Sequence, residues 1–244
     1  MKKTHESHGC WSEVQDALSA GIDRLILFGP PGTGKTYAGL NYGQTHNGAF
    51  RLICTDDMTN ADVTGAWMPN SNGTWSWNDG SAISAWKTGG RLVVDEIDKA
   101  GGDVFATLLA MTDSVDSAKW EHPQTGEILT PQKGFSVVMT TNVEEMEELP
   151  AALTDRFPVA IRINQPHPDA LKRLSADLRP YAIRMADAGR RRISLRAFYA
   201  FDELRKTLPT QQAAYLVFRD RAESFLDAIT VDSLDDCSDN EEEF

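Results

Sequence analysis

The chain has 244 residues, 41% of them hydrophobic and 25% charged, a composition that excludes fibrous and wholly disordered classes and leaves room for a sizeable core. Its 24 basic and 36 acidic residues give a net charge of -12, and seven of those acids lie in the last fourteen residues, so the rest of the chain carries -5. A body of that sign argues against a dedicated nucleic-acid binder, whose affinity comes from Lys and Arg at phosphates.

The opening residues, Met1 to His8, are basic but lack an apolar core behind them, so no secretory leader is expected. No apolar stretch approaches the length of a membrane span, and the expected location is cytoplasmic. Cys10, Cys54 and Cys237 are far apart, in neither a disulfide framework nor a C-x-x-C spacing, and are expected as free thiols. His5 and His8 with Cys10 offer three metal-capable side chains in a terminal stretch, which gives no metal expectation.

In chain order, Arg24-Leu25-Ile26-Leu27-Phe28 is a short apolar run ending at Gly29-Pro30-Pro31-Gly32, the pattern of a buried strand entering a glycine loop. Lys35 to Tyr42 then reads as a helix. Further strands are predicted at Arg51 to Cys54, Arg91 to Asp95, Phe135 to Thr140 and Val159 to Ile163, with helices at Ser81 to Thr88 and Asp103 to Asp113 between them. That alternation predicts an α/β domain, a parallel sheet covered by helices on both faces. Trp120 to Leu129 reads as a β-hairpin turning at Gln124-Thr125-Gly126.

Beyond Pro166 the strand pattern stops, and Pro168 to Ala188, Ser194 to Leu208 and Thr210 to Ile229 each read as one helix. Phe198, Phe201 and Leu204 sit at core spacing. The expected organisation is an α/β domain over residues 1–165, a helical lid over 166–230 and a disordered acidic tail over 231–244, which has too little apolar surface to offset its ordering entropy. The tail reads as either a solubilising segment or a partner-recognition peptide.

Gly29, Pro30, Pro31, Gly32, Thr33, Gly34, Lys35 and Thr36 fit G-x-x-x-x-G-K-[ST] at every fixed position, between a predicted strand and a predicted helix. Glycines let successive backbone N-H groups converge on a phosphate, the helix N-terminus adds partial positive charge, and Lys35 can reach the β- and γ-phosphates. Thr36 suits a hydroxyl ligand of Mg²⁺. Asp95 and Glu96 close an apolar strand, where burying charge is costly without a cation or polarised water. Asp95 then suits the metal's water shell and Glu96 a general base for the attacking water; taken alone, the pair also reads as a helix cap.

At these residues the chain resembles the AAA+ ATPases, a family of P-loop NTPases with a three-layer α/β/α core and a helical lid, and within them the MoxR-like group with its NorQ/CbbQ-type proteins. The resemblance runs from about Ala17 to Leu208. It implies that Thr140-Thr141-Asn142 is sensor 1, with Asn142 holding the lytic water. It implies that Leu149 to Phe157 carries the arginine finger, Arg156, which serves the neighbouring subunit's γ-phosphate. Ser194-Leu195-Arg196 is similar to sensor 2, although Arg190, Arg191 and Arg192 crowd the same place. Asp98-Lys99 stands where many relatives carry Asn-Arg.

The resemblance further implies ATP and Mg²⁺ as cofactors and a homo-oligomeric, hexameric ring. It also implies a protein client or co-chaperone, often a von Willebrand factor A domain protein, that the ring remodels, activates or loads with a metal cofactor. The Trp67, Trp75 and Trp77 stretch and the Trp120 hairpin resemble family loops on the ring's central face; Trp75 and Trp77 read either as partner contacts or as aromatics folded onto each other. Three other readings stay open: a nucleic-acid motor or restriction-type translocase subunit, a scaffold that binds ATP without turnover, and a small-molecule kinase. Residues 65–79 hold no Lys or Arg, which weighs against the motor.

Overall fold

The computed structural model describes residues 9–238 except Gln44, His46, Val115, Asp187, Arg190 and Arg191, and the side chains of 231–238 are likewise outside the description. The described chain forms two compact units. The first takes the chain up to Gly29 and again from Lys35 to Ile163; the second takes Pro30–Gly34 and everything from Asn164 onward.

The first unit begins with α1 (Cys10–Ser19), which the sequence pattern did not reveal, then β1 (Arg24–Phe28), α2 (Lys35–Asn41) and β2 (Ala49–Ile53). After α3 (Asn60–Thr64) comes a hairpin of β3 (Gly65–Pro69) and β4 (Trp75–Asp79), then α4 (Ser81–Thr88), β5 (Arg91–Asp95) and α5 (Gly102–Met111). A second hairpin, β6 (Trp120–Glu121) and β7 (Ile128–Leu129), precedes β8 (Ser136–Thr140), α6 (Ala151–Arg156) and β9 (Val159–Arg162).

Five strands form one parallel sheet in the order β2-β5-β8-β1-β9. Alternation along β1 divides its apolar residues between the two faces. Leu25 and Leu27 join α1 and α2 residues such as Trp11, Val14 and Ala38, whereas Ile26 and Phe28 join Trp86 of α4 and Leu108 of α5. Each such fully buried aliphatic side chain contributes about 1.5–3 kcal/mol relative to exposure. Trp86, wholly buried, satisfies its indole N-H on the Met111 carbonyl at 3.0 Å.

The amino ends of two interior strands are held by buried arginines, each the first residue of its strand. Arg24 donates to the carbonyls of Thr112 and Asp113, both at 2.8 Å, just past the end of α5. Arg91 donates to the carbonyls of Gly39 at 3.1 Å and of Tyr42, at the end of α2. Helix C-termini leave carbonyls without partners, and these guanidinium groups supply the missing donors. Burial pushes both arginine pKa values down, with Asp23 and Asp113 partly countering it at Arg24.

The two hairpins pack through Trp77, whose ring lies 6.0 Å from Trp67, 5.9 Å from Trp120 and 6.1 Å from His122, centroid to centroid. Trp75 occupies the same face of β4 two residues nearer the tip and is 61% exposed. Of the two indoles weighed as partner contacts, Trp77 is thus half-buried within a ring cluster and Trp75 is exposed.

The second unit contains α7 (Pro168–Lys172), α8 (Arg179–Ala186), α9 (Leu195–Leu204), α10 (Thr210–Phe218) and α11 (Ala222–Ser238). Its core gathers Tyr181, Phe198, Phe201, Phe218 and Phe225, with Phe218 and Phe225 at 4.0 Å between centroids. Two of the single helices expected here are broken. In the first, Pro180 removes a backbone donor and clashes with the preceding turn, so the chain passes through a 3-10 turn at Ala176–Leu178 before α8. In the second, Arg219 adopts φ 50°, which stops α10 and lets α11 fold back.

The last helix reaches into the acidic segment. The backbone of α11 runs to Ser238, eight residues into that segment. A helix anchored by buried Phe225 and Ile229 propagates cheaply once its first turns are fixed. Residues 239–244 lie outside the described residues, as do His5 and His8. Among the described residues no helix is long and apolar enough to cross a membrane.

Candidate functional site

Three neighbouring strands of the sheet, β5, β8 and β1, end at Asp95, Thr140 and Phe28, and the candidate residues follow those ends. Ligands of parallel α/β sheets bind outside the carboxyl ends of the strands. Gly29 leaves β1 at φ 113°, and a Cβ there would stand 2.8 Å from the Ile163 carbonyl oxygen, so only glycine fits. Gly32 and Gly34 also have positive φ. Thr33 is buried and donates to the Pro30 carbonyl at 3.1 Å, while its own carbonyl accepts the His167 N-H at 3.0 Å.

Lys35 is 6% exposed, and its Nζ donates to the Gly29 carbonyl at 2.8 Å and to Asn142 Oδ1 at 3.2 Å. Next to it, the Thr36 hydroxyl donates to Asp95 Oδ1 at 2.7 Å. The structure therefore joins four of the predicted residues, Lys35, Thr36, Asp95 and Asn142, through one loop and two strand ends.

Asp95 is 5% exposed and accepts from Thr36, Thr140 and Arg51. Burial alone would raise its pKa; the hydrogen bonds from Thr140, Arg51 and Thr36, with the charge of Arg51, outweigh burial and hold it below the usual carboxylate range. Below it, the Cys54 N-H donates to the Asp95 carbonyl at 2.8 Å. Burial, and then the charges of Asp95, Asp98 and Glu96, push the Cys54 thiol up to about 12.

Glu96 has φ 58° and ψ 47°, the left-handed region, and its N-H meets the Thr140 hydroxyl at 3.4 Å. Thr141, fully buried, donates to Asp98 at 2.8 Å. Thus both threonines at the end of β8 fasten the segment that follows β5.

Arg156 is not part of this cluster, and Arg196 falls in the other unit. Arg156, in the last turn of α6, donates to the Ala152 carbonyl at 2.9 Å and lies 3.5 Å from Asp113. Arg196 belongs to the second unit, exposed in the first turn of α9 behind the Ser194 cap; Arg190 and Arg191 are outside the described residues. Sequence reasoning missed Arg51. A charged residue inside an otherwise apolar strand was the available signal, but its partner emerges only once β2 pairs with β5.

The donor set suits a magnesium-bound triphosphate. A buried carboxylate kept ionised stands beside a threonine hydroxyl, a buried ammonium and a glycine loop with three positive-φ residues. Hard cations take oxygen ligands of this kind.

Comparison with known proteins places the chain in a family. Residues 24–157 match the family model described as AAA domain (dynein-related subfamily). Among curated proteins, the chain is 33% identical over 129 residues to the denitrification regulatory protein NirQ of Stutzerimonas stutzeri, covering 52% of this chain and 46% of that protein. To NirQ of Pseudomonas aeruginosa it is 29% identical over 146 residues, covering 58% and 55% respectively. To protein CbbQ of Hydrogenophilus thermoluteolus it is 26% identical over 171 residues, covering 66% and 61%. The chain thus spans about half the length of the curated relatives it matches. The family model covers more than half of the chain, from the first residue of β1 to the residue after α6, and takes in the glycine loop, Asp95, Glu96 and β8; the chain therefore belongs to the dynein-related subfamily of AAA domains.

Proposed function

We propose that this chain binds ATP with magnesium and hydrolyses it, as one subunit of a ring whose nucleotide-driven movements remodel a protein partner. The observation that carries the reading is the hydrogen-bonded convergence of Lys35, Thr36, Asp95 and Asn142 at the carboxyl edge of the sheet. Lys35 would neutralise phosphate charge, and Asn142 and Glu96 would orient water, with Glu96 accepting its proton. Magnesium, held by Thr36 and through water by Asp95, would withdraw charge from the phosphate oxygens.

Arg156 is read as a residue lent to the neighbouring subunit's nucleotide. Its contacts with Ala152 and Asp113, away from Lys35, support that reading. Such a head-to-tail dependence closes into a ring when the rotation permits, and a hexamer is the proposed form. Arg196 is read as contacting nucleotide bound to its own chain.

The proposed client is a protein, by resemblance to the NorQ/CbbQ-type proteins one with a von Willebrand factor A domain, which the ring activates or loads with a metal cofactor in the cytoplasm. The exposed side chains of Trp67, Met68, Trp75 and Ile128 on the two hairpins offer apolar surface for such contacts.

Phosphate release by wild type, Lys35→Ala, Glu96→Gln and Arg156→Ala tests this. Wild type should turn over ATP; Glu96→Gln should bind it and lose nearly all turnover. Mixing inactive Lys35→Ala with inactive Arg156→Ala subunits should restore part of the activity, because each supplies what the other lacks. No recovery in mixed assemblies of confirmed composition removes the shared site, and a wild type that takes up no adenine nucleotide removes the whole reading.

A further inference from the structure

We infer that Arg51 is a displaceable counter-ion of Asp95, a positioning residue that holds this carboxylate before metal arrives and yields one of its oxygens when magnesium enters with nucleotide. The inference rests on the nucleotide site proposed above.

Arg51 stands in β2, the edge strand of the sheet, two residues before Ile53, whose Cα pairs with that of Asp95. Side chains two apart share a face, so Arg51 and Asp95 are brought together by register. The two oxygens of Asp95 are divided. Oδ1 takes the hydroxyls of Thr36 and Thr140, whereas Oδ2 takes the Arg51 guanidinium.

These partners differ in how easily they leave. Thr140 is 2% exposed and enclosed in the sheet. The Arg51 side chain is 44% exposed, on a long flexible stem whose charged head can swing into solvent. A buried carboxylate without a cation is unstable, so the metal-free site needs Arg51. Once a divalent ion approaches the same carboxylate, ion and guanidinium repel each other. Arg51 therefore stabilises the site before loading and raises the magnesium concentration at which loading occurs.

Binding of N-methylanthraniloyl-ADP followed by fluorescence, with MgCl₂ titrated, reads this without any turnover. Arg51→Met and Arg51→Gln should reach half-saturation at about tenfold lower magnesium than wild type, while Arg51→Lys, which keeps the charge, stays within about twofold of it. The exposed side chain makes the glutamine variant a folded control should the methionine variant fail, and cooperative melting checks both. A midpoint that is unchanged or moves to higher magnesium in a folded variant overturns the inference, as does an Arg51→Lys curve shifted as far as the neutral ones. If wild type binds no nucleotide at any magnesium concentration, the proposed function falls as well; if all bind with one common curve, only the part given to Arg51 is lost.

Discussion

Thr140 donates its hydroxyl to Asp95 and, with the same oxygen, meets the backbone N-H of Glu96 at 3.4 Å. One buried side chain on β8 thus sets both acids that end β5. Replacing it with valine keeps the shape, removes the hydroxyl and leaves the Asp95 oxygen with one donor fewer. Thr140→Val should lower kcat by about ten- to a hundredfold, with Thr140→Ser restoring most of it. Nucleotide affinity should change little, because Lys35 and the glycine loop are untouched; an equal loss in binding would count against the positioning role.

The lowered pKa of Asp95 also gives a pH prediction. A carboxyl held below its unfolded value stabilises the fold above about pH 4, the ordinary carboxylate range, and that contribution vanishes as pH falls through the folded value. Thr140→Val and Arg51→Met should therefore lose stability relative to wild type at neutral pH, with the difference shrinking in acid. Urea unfolding at pH 7 and near pH 3 measures it, and a gap that widens in acid contradicts the sign.

Gly29 is the position where a single methyl group should do most harm. An added Cβ would press on the Ile163 carbonyl at 2.8 Å, in a backbone region that L-residues rarely adopt. Gly29→Ala should destabilise the chain by about 1–3 kcal/mol and move the carbonyl to which Lys35 donates. Loss of nucleotide binding beyond what the drop in stability explains is the expected result in a titration at low temperature.

At the amino ends of their strands, Arg24→Met and Arg91→Met should each cost about 2–4 kcal/mol in chemical unfolding, because helix-end carbonyls lose buried charged donors. Neither touches the nucleotide site, so the folded fraction should bind nucleotide with wild-type affinity. Altered affinity in well-folded Arg91→Met would mean that α2 transmits the change to Thr36 at its other end.

The hairpins separate packing from contact. Trp77→Ala should destabilise the first unit by roughly 2–4 kcal/mol through its three ring contacts. Trp75→Ala should stay within about 0.5 kcal/mol of wild type in thermal unfolding yet reduce stimulation of turnover by a client. Equal effects of the two on stability would show that Trp75 packs inward in solution.

The sheet was legible because its strands are short, largely apolar runs separated by helical and loop patterns, and four of the five expected strands lie within one residue of those seen; β2 alone starts two residues early. The loop and the acidic pair were legible for the same local reason, since their chemistry lies in consecutive residues. Arg51, Arg24 and Arg91 were not, because each finds its partners only after distant segments meet. The β3–β4 hairpin carried a signal, Asn72-Gly73 between Trp67 and Trp75, that an aromatic-rich reading passed over. Pro180 was likewise visible inside a helix assigned too long. The turn at Arg219 offered no glycine, proline or asparagine, and only the packing of Phe218 against Phe225 accounts for it.

Glu96 stands in a left-handed backbone conformation that costs a glutamate energy and that glycine, without a Cβ, adopts freely. Exchange for glycine should relieve about 1 kcal/mol of local strain while deleting the carboxylate proposed to activate water. The best-tolerated residue at this corner would then be an inert one, so a screen for thermal robustness alone would tend to drive the chain towards a durable protein that no longer works.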